Sequence, residues 1–350
     1  KFTAPDMCEL AENIAPSGIV NMAFQKNPEP TIWCVLSDGQ LISFSYDRSQ
    51  NVAAWAKHPT DGKVQSVCVL PGKNEDQVWL AVQRTIGGAE KVYIEQMTPR
   101  YFASRADCFF VDCGLTIIPQ LLTVDSAPTP APFDVGAVLT GAVSGTTAKV
   151  LKVRTPVGYE MGWLTGEFTA GETLTDGTNS ADFSALTDSP SAVLGNLEHL
   201  NGKTVAVLGD GQACEPKTVD SNGVITLENP VAKAQVGLAY TWALQPLRIA
   251  LEDTYYGHKY ASVKRIDTLG ISFHHTAAAR YGPNENNLFD VNFADIRLEN
   301  TSDLTGLFSG DVQAIMPGGF SREIPILLTG SDPLPATVLA VWPNLDATGK

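Results

Sequence analysis

Residues 31–46 read TIWCVLSDGQLISFSY, and this stretch decides the fold of the first part of the chain. Two apolar runs flank an Asp-Gly pair at 38–39, an arrangement that is a strong short-range signal for a β-hairpin. In the second run Ile42, Phe44 and Tyr46 alternate with serines, so one face of the strand is apolar. The stretch therefore predicts two antiparallel strands joined by a tight turn.

Further short apolar runs follow the hairpin at regular spacing. They lie at 52–58, 63–70, 77–84 and 91–97. Turns containing Gly or Pro separate most of these runs, and such a series is typical of an antiparallel meander in a sandwich, barrel or propeller. We predict a β-meander with the character of a propeller blade over residues 1–118.

The composition then changes twice. Residues 119–132 (PQLLTVDSAPTPAP) hold four prolines and one charged residue, which predicts an extended linker because proline fixes φ and donates no hydrogen bond. Residues 133–187 are rich in Gly, Thr and Ala, with a short alternating stretch at 151–154. This texture predicts a small, separate β module inserted into the chain.

Longer apolar runs return after residue 196 and predict a C-terminal β domain over 188–350. They lie at 203–208, 224–227, 233–239, 242–250, 287–293, 322–328 and 336–342. The run at 262–273 also fits a helix, and Pro325 predicts an edge strand or a bulge. The predicted fold class is mainly β. Its antiparallel meanders form propeller-blade-like and sandwich- or barrel-like parts, with the small β domain inserted between them.

The composition limits what the chain can do. With 24 Lys and Arg against 38 Asp and Glu, the net charge is −14, which argues against a protein that grips nucleic acid through a basic face. No apolar run approaches the length of about eighteen residues that a membrane helix needs. Because the chain starts at Lys1 and no signal-like segment follows, we expect a piece of a longer protein.

The cysteines do not point to a metal or to a disulfide framework. They are Cys8, Cys34, Cys68, Cys108, Cys113 and Cys214. Several lie inside apolar runs, where a thiol behaves as a small apolar side chain, so we expect free thiols in a protein assembled in the cytosol. Cys108 and Cys113 are spaced C-x4-C, but no second pair completes a zinc site.

The sequence holds no complete nucleotide or nucleophile motif. Gly209-Asp210-Gly211 lacks the third glycine of a dinucleotide fingerprint, and Gly202-Lys203-Thr204 lacks the earlier glycine of a phosphate loop. Both read better as turns. No GxSxG nucleophile elbow is present either.

Histidines and carboxylates give no clear metal or catalytic site. His274 and His275 are adjacent, and neighbours on a strand point to opposite faces, so we expect that they do not share one ion. His199 is expected to pack or to bond the backbone. Asp176 and Asp182 could offer oxygens to calcium, but the spacing of an EF-loop is missing and a polar turn explains them better. Paired carboxylates of a glycosidase cannot be recognised from sequence spacing.

The tryptophans allow two interpretations. They are Trp33, Trp55, Trp79, Trp163, Trp242 and Trp342. Most lie in strand-like apolar runs, which favours core packing over a platform that stacks sugars. Together these observations predict a protein that is not an enzyme, with no catalytic residue, no metal ligand, no cofactor-binding residue and no cofactor.

Two blocks of the sequence resemble one family of viral proteins. Residues 19–85 contain a strand with a Trp (TIWCVL), a DG turn, a Tyr-x-Arg step and a VWL strand. The later strings are LEHLNGKTVAVLGDGQ, VGLAYTW, DTLGISF, LFSGDVQAIMPGGFSR and PLPATVLAVWP. In this order they resemble the C-terminal part of the tail nozzle, or tail tubular, proteins of short-tailed bacteriophages. The module at 133–187 departs from the family pattern and resembles small Gly/Thr-rich β modules of phage virion proteins.

The resemblance implies a non-catalytic virion component with propeller and sandwich-like parts. It implies a homo-oligomeric ring, expected to be a hexamer, assembled in the host cytoplasm and then part of the phage tail. The portal, the adaptor and other tail proteins are the implied partners, and phage DNA passes through transiently without specific binding. The acidic balance suits such a conduit, although surface charge for solubility explains it equally well. A receptor- or glycan-binding tail component and a tail-associated glycan hydrolase remain alternatives.

Overall fold

The computed structural model describes residues 7, 11, 13–47, 49–50, 52–100, 102–247, 263–293 and 306–347. Its regular structure is almost wholly antiparallel strand, with two single-turn 3-10 helices at Arg105–Asp107 and Glu198–Leu200. This confirms the predicted mainly β fold class. The described residues divide into two compact units, one within 1–101 and 111–240 and the other within 102–110 and 241–350.

The first unit begins with two antiparallel sheets that share a core. The first sheet contains β1 (Ile19–Gln25), β2 (Thr31–Leu36), β3 (Leu41–Asp47) and β4 (Val52–His58), in that spatial order. The second sheet contains β5 (Lys63–Leu70), β6 (Gln77–Ile86) and β7 (Ala89–Gln96). The shared core consists of Trp33, Val35, Leu41, Val64, Val67, Val78 and Val82. Apolar side chains on the facing sides of both sheets are buried there together.

The hairpin that residues 31–46 predict is present. Trp33 lies opposite Ser43, and Ile32 lies opposite Phe44, in the β2–β3 register. Gly39 in the turn has a φ of 89°, a conformation that costs glycine little and other residues much. The local pattern of apolar residues and turn chemistry was therefore sufficient to predict this element.

After β8 (Asp112–Ile117) the chain enters a closed barrel. Its strands are β9 (Gln120–Val124), β10 (Val138–Gly141), β11 (Thr147–Thr155), β12 (Gly158–Gly162), β13 (Thr173–Thr175) and β14 (Ser180–Asp188). Around the barrel they follow the order β10-β11-β12-β9-β14-β13. The interior contains Leu122, Leu139, Val150, Tyr159 and Leu174, all fully buried.

The barrel starts earlier than the predicted inserted module. Strand β9 lies inside the stretch 119–132 and pairs with both β12 and β14, so the linker prediction is wrong for these residues. The prolines flank β9 rather than interrupt it, and Leu122 and Val124 point into the barrel. At the base, the Ser189 amide donates to the Pro119 carbonyl at 3.0 Å, so the chain enters and leaves the barrel at neighbouring points.

The first unit is completed by five further strands. They are β15 (Ser191–Leu194), β16 (Thr204–Gly209), β17 (Gln212–Thr218), β18 (Ile225–Val231) and β19 (Ala234–Leu238). β15 pairs with β18, and the order β17-β16-β19-β8 forms a four-stranded sheet. Because β19 pairs with β8 from before the barrel, residues 188–240 belong to the first unit. The predicted domain 188–350 is therefore divided at Tyr240.

The second unit contains two antiparallel sheets around its own core. Its strands are β20 (Trp242–Leu244), β21 (Lys264–Thr276), β22 (Arg280–Asn284), β23 (Asn287–Asp290), β24 (Phe308–Ile315), β25 (Leu327–Gly330) and β26 (Val338–Ala347). The orders are β20-β25-β22-β23 and β24-β21-β26. The run at 262–273 is strand from Lys264 onward rather than helix, and Pro325 precedes β25 instead of lying within it.

Candidate functional site

The sheet β5–β7 presents an apolar outer face. Along β6, Val78 and Val82 point into the shared core, so Trp79 and Ala81 point outward. Cross-strand pairing then places Cys68 beside Trp79, and Ile94 beside Ala81. We define the outer patch as Cys68, Leu70, Trp79, Ala81, Val92 and Ile94. Ile94 is 69% exposed, and Leu70 and Val92 are exposed as well.

The outer patch ends at an open strand edge. In the described part of the chain β7 pairs with β6 only, so the backbone groups on its other side have no strand partner. An open edge offers a template to which another strand can add. Contiguous exposed apolar patches on soluble proteins commonly mark interaction sites. This face is therefore the part of the N-terminal sheets best suited to contact another protein chain.

A second exposed apolar row lies on β1. We define the β1 row as Val20, Met22 and Phe24. Met22 is 64% exposed, and the row alternates with residues that face the shared core. Across the sheet Phe24 lies opposite Ile32, and beyond Ile32 the buried Phe44 packs against the half-buried Trp55, with ring centroids 4.5 Å apart. Because the β1 row and the outer patch both point away from one shared core, they lie on opposite sides of this pair of sheets.

Beneath the outer patch the sheet holds a buried ion pair. The Arg84 side chain is 1% exposed, and its Nε and Nη2 donate to the two carboxylate oxygens of Glu95, each at 2.7 Å. Its Nη1 donates to Thr60 Oγ1 at 3.0 Å and to the Asp61 carbonyl at 2.6 Å. A bidentate arrangement of this kind has strict geometry, so it fixes β7 against β6 and the turn before β5.

Asp112 and Cys113 lie near this ion pair, and Tyr240 lies near Asp112. Burial raises the pKa of the Asp112 carboxyl, while a hydrogen bond from Thr60 and the charge of Arg84 oppose the rise. Burial also raises the pKa of the Cys113 thiol to about 12 and that of the Tyr240 phenol to about 12. At neutral pH both groups stay protonated, so Cys113 does not supply the thiolate that nucleophilic catalysis needs. The arrangement holds the fold through hydrogen bonds and paired charges.

A serine and a histidine meet on strands β3 and β4. Ser43 Oγ and His58 Nε2 are 2.8 Å apart, and burial, with a smaller effect of Arg100, lowers the pKa of His58 to about 4. The pair lies against the ring of Trp33, with centroids of Trp33 and His58 4.9 Å apart. Ser43 is buried and does not line the nearby groove of about 310 Å³. Sequence analysis missed this pair because no motif links its two strands, and its position is that of a core hydrogen bond.

The two adjacent histidines depart from the prediction. A strand places neighbours on opposite faces, yet the rings of His274 and His275 are stacked with centroids 4.0 Å apart. His275 has a φ of 43°, and the β21–β24 register shifts between Phe273 and Thr276. The bulge turns one side chain to the side of the other, so the prediction of opposite faces is wrong. No group of three or more His, Cys, Asp or Glu residues with metal-binding proximity occurs within the described ranges.

The motif-like stretches lie in turns. Asp210, between Gly209 and Gly211, accepts backbone hydrogen bonds from Lys233 and Ala232 where β16 turns into β17. Lys203 follows Gly202, and its Nζ forms an ion pair with Asp61 Oδ2 at 2.7 Å.

Asp176 also lies in a turn. It accepts from the Thr178 and Asn179 amides at 2.8 and 2.6 Å. Burial opposes the change, but these hydrogen bonds lower the pKa of Asp176. His199 bonds the Cys113 carbonyl at 3.0 Å. The Asp176 contacts satisfy local backbone and the His199 contact bonds a carbonyl distant in sequence, as the turn and packing interpretations expected.

The tryptophans are less buried than predicted. Only Trp33 is buried, and its Nε1 donates to Gln25 Oε1 at 2.8 Å. Trp79 belongs to the outer patch, and Trp163 and Trp342 are exposed. Trp55 and Trp242 are half-buried and pack against core clusters, so core packing holds for three of the six tryptophans and not for Trp79, Trp163 and Trp342. Strand faces that point away from a core can also be apolar, and sequence alternation does not say which face is inside.

The cysteines for which the structure shows free thiols include Cys68, Cys108, Cys113 and Cys214. Cys108 and Cys113, the C-x4-C pair, belong to different units. Cys8 lies outside the described residues. Among the described residues no helix has the length and apolar character needed to cross a membrane.

No protein-family model matches this chain, and no curated protein matches it by sequence.

Proposed function

We propose that this chain is a non-catalytic structural protein that assembles with copies of itself into a ring, as a nozzle component of a short-tailed phage tail. The observation that supports the proposal is the presence of two unlike apolar surfaces, the outer patch and the β1 row, on opposite sides of the N-terminal sheets. The resemblance in sequence supplies the phage context.

Two unlike surfaces on opposite sides favour head-to-tail assembly. When the outer patch of one copy covers the β1 row of the next, the contact is heterologous, and such contacts close into a ring when the rotation between copies permits. Burying a large apolar side chain that was fully exposed contributes about 1.5–3 kcal/mol. Apart from the half-buried Trp79, the large apolar side chains of both surfaces are about half to two-thirds exposed, so each contributes less than this, and several together favour the contact. The net charge of −14 is compatible with a conduit that does not retain DNA.

The assembly test uses charge substitutions on each surface. Ile94→Lys places a charge in the outer patch, and Met22→Lys places one in the β1 row. Val143→Lys is the matched control, because Val143 is 74% exposed on the barrel, away from both surfaces. Mass photometry and negative-stain electron microscopy would measure the oligomeric state of the purified chain and its variants.

We expect rings from the parent and from Val143→Lys, and monomers from each of the other two variants. Mixing Ile94→Lys with Met22→Lys should give dimers, since one intact outer patch can then meet one intact β1 row. A parent chain that stays monomeric at micromolar concentration contradicts the proposal. So does assembly that only one of the two substitutions disrupts, because that result indicates a two-fold contact.

The phage context has its own test. Gold-labelled antibody against the chain, applied to particles from the source culture, should mark the tails. Intact particles without gold, from a lysate that contains the chain, would contradict a role in the virion even if the purified chain forms rings.

A further inference from the structure

A short N-terminal segment lies across the outer face of the first sheet. We define the N-terminal strap as residues 11 and 13–18, the described residues that lead directly into β1. Ile14 of the strap is buried in a cluster with three side chains of β2 and β3, which are Cys34, Leu36 and Ile42. Two alanines of the strap border this cluster, and its other described members all belong to the first sheet. The strap is therefore the cover of these three side chains.

The covered side chains continue the β1 row across the sheet. In the strand registers Met22 lies opposite Cys34, and Cys34 lies opposite Ile42. Directly opposed residues on neighbouring strands have their side chains on the same face. Met22 is 64% exposed, whereas Cys34 and Ile42 are 1% and 0% exposed. One apolar face is thus open along β1 and closed along β2 and β3, because the strap lies over its second part.

Few contacts hold the strap on the sheet. Within the part of the chain that the structure describes, the strap has no strand pairing, and Ile14 is its only large apolar side chain. At its C-terminal end the Ser37 amide donates to the Gly18 carbonyl at 3.0 Å, and Ser37 Oγ donates to the Ser17 carbonyl at 2.5 Å. Upstream of the strap, Trp55 Nε1 donates to the Met7 carbonyl at 3.1 Å. A change at Ile14 should therefore loosen the strap while β1–β4 stay paired.

The β1 row alone is small for a stable contact. Its three side chains are between 58% and 64% exposed. Even at about 200 Å² for each side chain, the area that a large aromatic residue buries, the row offers less than about 400 Å². Stable protein interfaces bury about 800 Å² on each partner. The face beneath the strap would widen the contact from one strand to three, so a second copy gains contact area when the strap moves aside.

We propose that the N-terminal strap is an autoinhibitory cover, which limits ring assembly until the outer patch of a second copy displaces it. The outer patch then covers Cys34, Leu36 and Ile42 together with the β1 row. This inference rests on the proposed function, because the occupant of the face is a second copy. The outer patch contains no charged side chain, so one apolar cover replaces another. Ile14 leaves a buried position, and side chains such as Ile94, which is 69% exposed in the free chain, enter one.

The test releases the strap with Ile14→Asp, and Ile14→Ala is the milder second variant. A carboxylate is costly to bury among apolar side chains, so the Asp variant should leave the face. Ile315→Asp is the matched control, because Ile315 is 76% exposed in the second unit. Hydrogen exchange of β1–β4 establishes that each variant is folded.

Two readouts follow the strap and the assembly separately. Maleimide labelling below the concentration of assembly, resolved by peptide mass spectrometry, measures access to Cys34. The exposed Cys68 is the internal reference for the labelling rate. Mass photometry over a series of protein concentrations measures ring formation.

We expect Ile14→Asp to be labelled at Cys34 about tenfold faster than the parent and to form rings at about tenfold lower concentration, since the burial of one isoleucine no longer opposes the contact. Ile14→Ala should lie between Ile14→Asp and the parent, and Ile315→Asp should match the parent. The double variant Ile14→Asp/Ile94→Lys should stay monomeric, because its outer patch carries a charge.

Labelling of Cys34 at the parental rate, or rings at the parental concentration, in a folded Ile14→Asp chain overturns the inference and leaves the proposed function standing. Assembly that persists in the double variant overturns it too, because such association does not use the outer patch. A monomeric parent contradicts the proposed function. In that case rings from Ile14→Asp support the cover, and a monomeric Ile14→Asp overturns it. Where Ile14→Asp disturbs β1–β4, Ile14→Ala gives the same two readouts.

Discussion

Replacing Glu95 by Gln tests how the buried ion pair holds the sheet beneath the outer patch. Gln keeps the size of the side chain and one acceptor but removes the negative charge. Arg84 would then keep its charge, at 1% exposure, with only neutral acceptors in direct contact: the amide oxygen that Gln retains, Thr60 Oγ1 and the Asp61 carbonyl. Breaking a buried ion pair from one side is costly because it leaves an uncompensated charge in a poorly solvated site.

The magnitude follows from the geometry. Loss of one partner of a buried pair costs about 3–5 kcal/mol, and the carboxyl of Asp112 nearby offsets part of that cost. We therefore expect the lower end, about 3 kcal/mol. The exposed pair of Arg100 with Glu29, at 2.6 Å, provides the contrast, because surface ion pairs contribute about 0–1 kcal/mol. Glu29→Gln is thus the matched control.

Native-state hydrogen exchange read by mass spectrometry measures the effect locally, in peptides that cover β6 and β7. A loss of about 3 kcal/mol predicts exchange about a hundredfold faster in Glu95→Gln, since each 1.36 kcal/mol is tenfold. Glu29→Gln should leave these peptides nearly unchanged. The double variant Arg84→Met/Glu95→Gln should exchange more slowly than Glu95→Gln alone, because it removes the stranded charge. Exchange in Glu95→Gln as slow as in Glu29→Gln would refute the reasoning.

Three further predictions concern stability. The pKa of Asp112 is higher in the folded than in the unfolded chain, so the free energy of unfolding falls as the pH rises from the unfolded-state pKa to the folded-state pKa. Asp112→Asn should therefore raise the urea midpoint of unfolding at pH 8 but not at pH 4. A lower urea midpoint for this variant at pH 8 would contradict the prediction. Excision of residues 120–188 should leave the other strands of the first unit protected from hydrogen exchange. Excision of 133–187 removes both partners of β9 and should reduce that protection. Equal protection in both variants would argue against the barrel as the inserted unit. Trp33→Ala should cost about 3–5 kcal/mol in denaturant unfolding and Trp79→Ala less, and equal costs would contradict their assignment to inner and outer faces.

Local elements of the fold could be predicted because their signals are local. The hairpin at 31–46 follows from an Asp-Gly turn between alternating strands, and the observed register agrees. The closure of the barrel has no such signal. β9 reaches β12 and β14 across long stretches of chain, and its neighbouring prolines suggested a linker. Which distant strands pair depends on how much apolar surface the whole pairing buries. A short stretch of sequence does not contain that information.

The candidate site could be predicted only in part from the sequence. Strand alternation gives two faces for β6 but does not say that Val82 is inside and Ala81 outside; packing against the first sheet decides that. His275 has positive φ, so alternation assigns its side chain to the wrong face. The pair of Arg84 and Glu95 joins neighbouring strands, and Asp112 of β8, which is distant from Arg84 in sequence, lies close enough to Arg84 to interact with it.

The sequence by itself determined the mainly β fold class, the positions of many strands and the lack of complete catalytic motifs, because strand periodicity and turn chemistry act over a few residues. Only the tertiary structure decided the limits of the barrel, the division at Tyr240, and which apolar side chains stay exposed. The physical reason is that burial is a property of pairs of surfaces. A strand with two apolar faces can bury one of them in its own core, and the other then stays exposed.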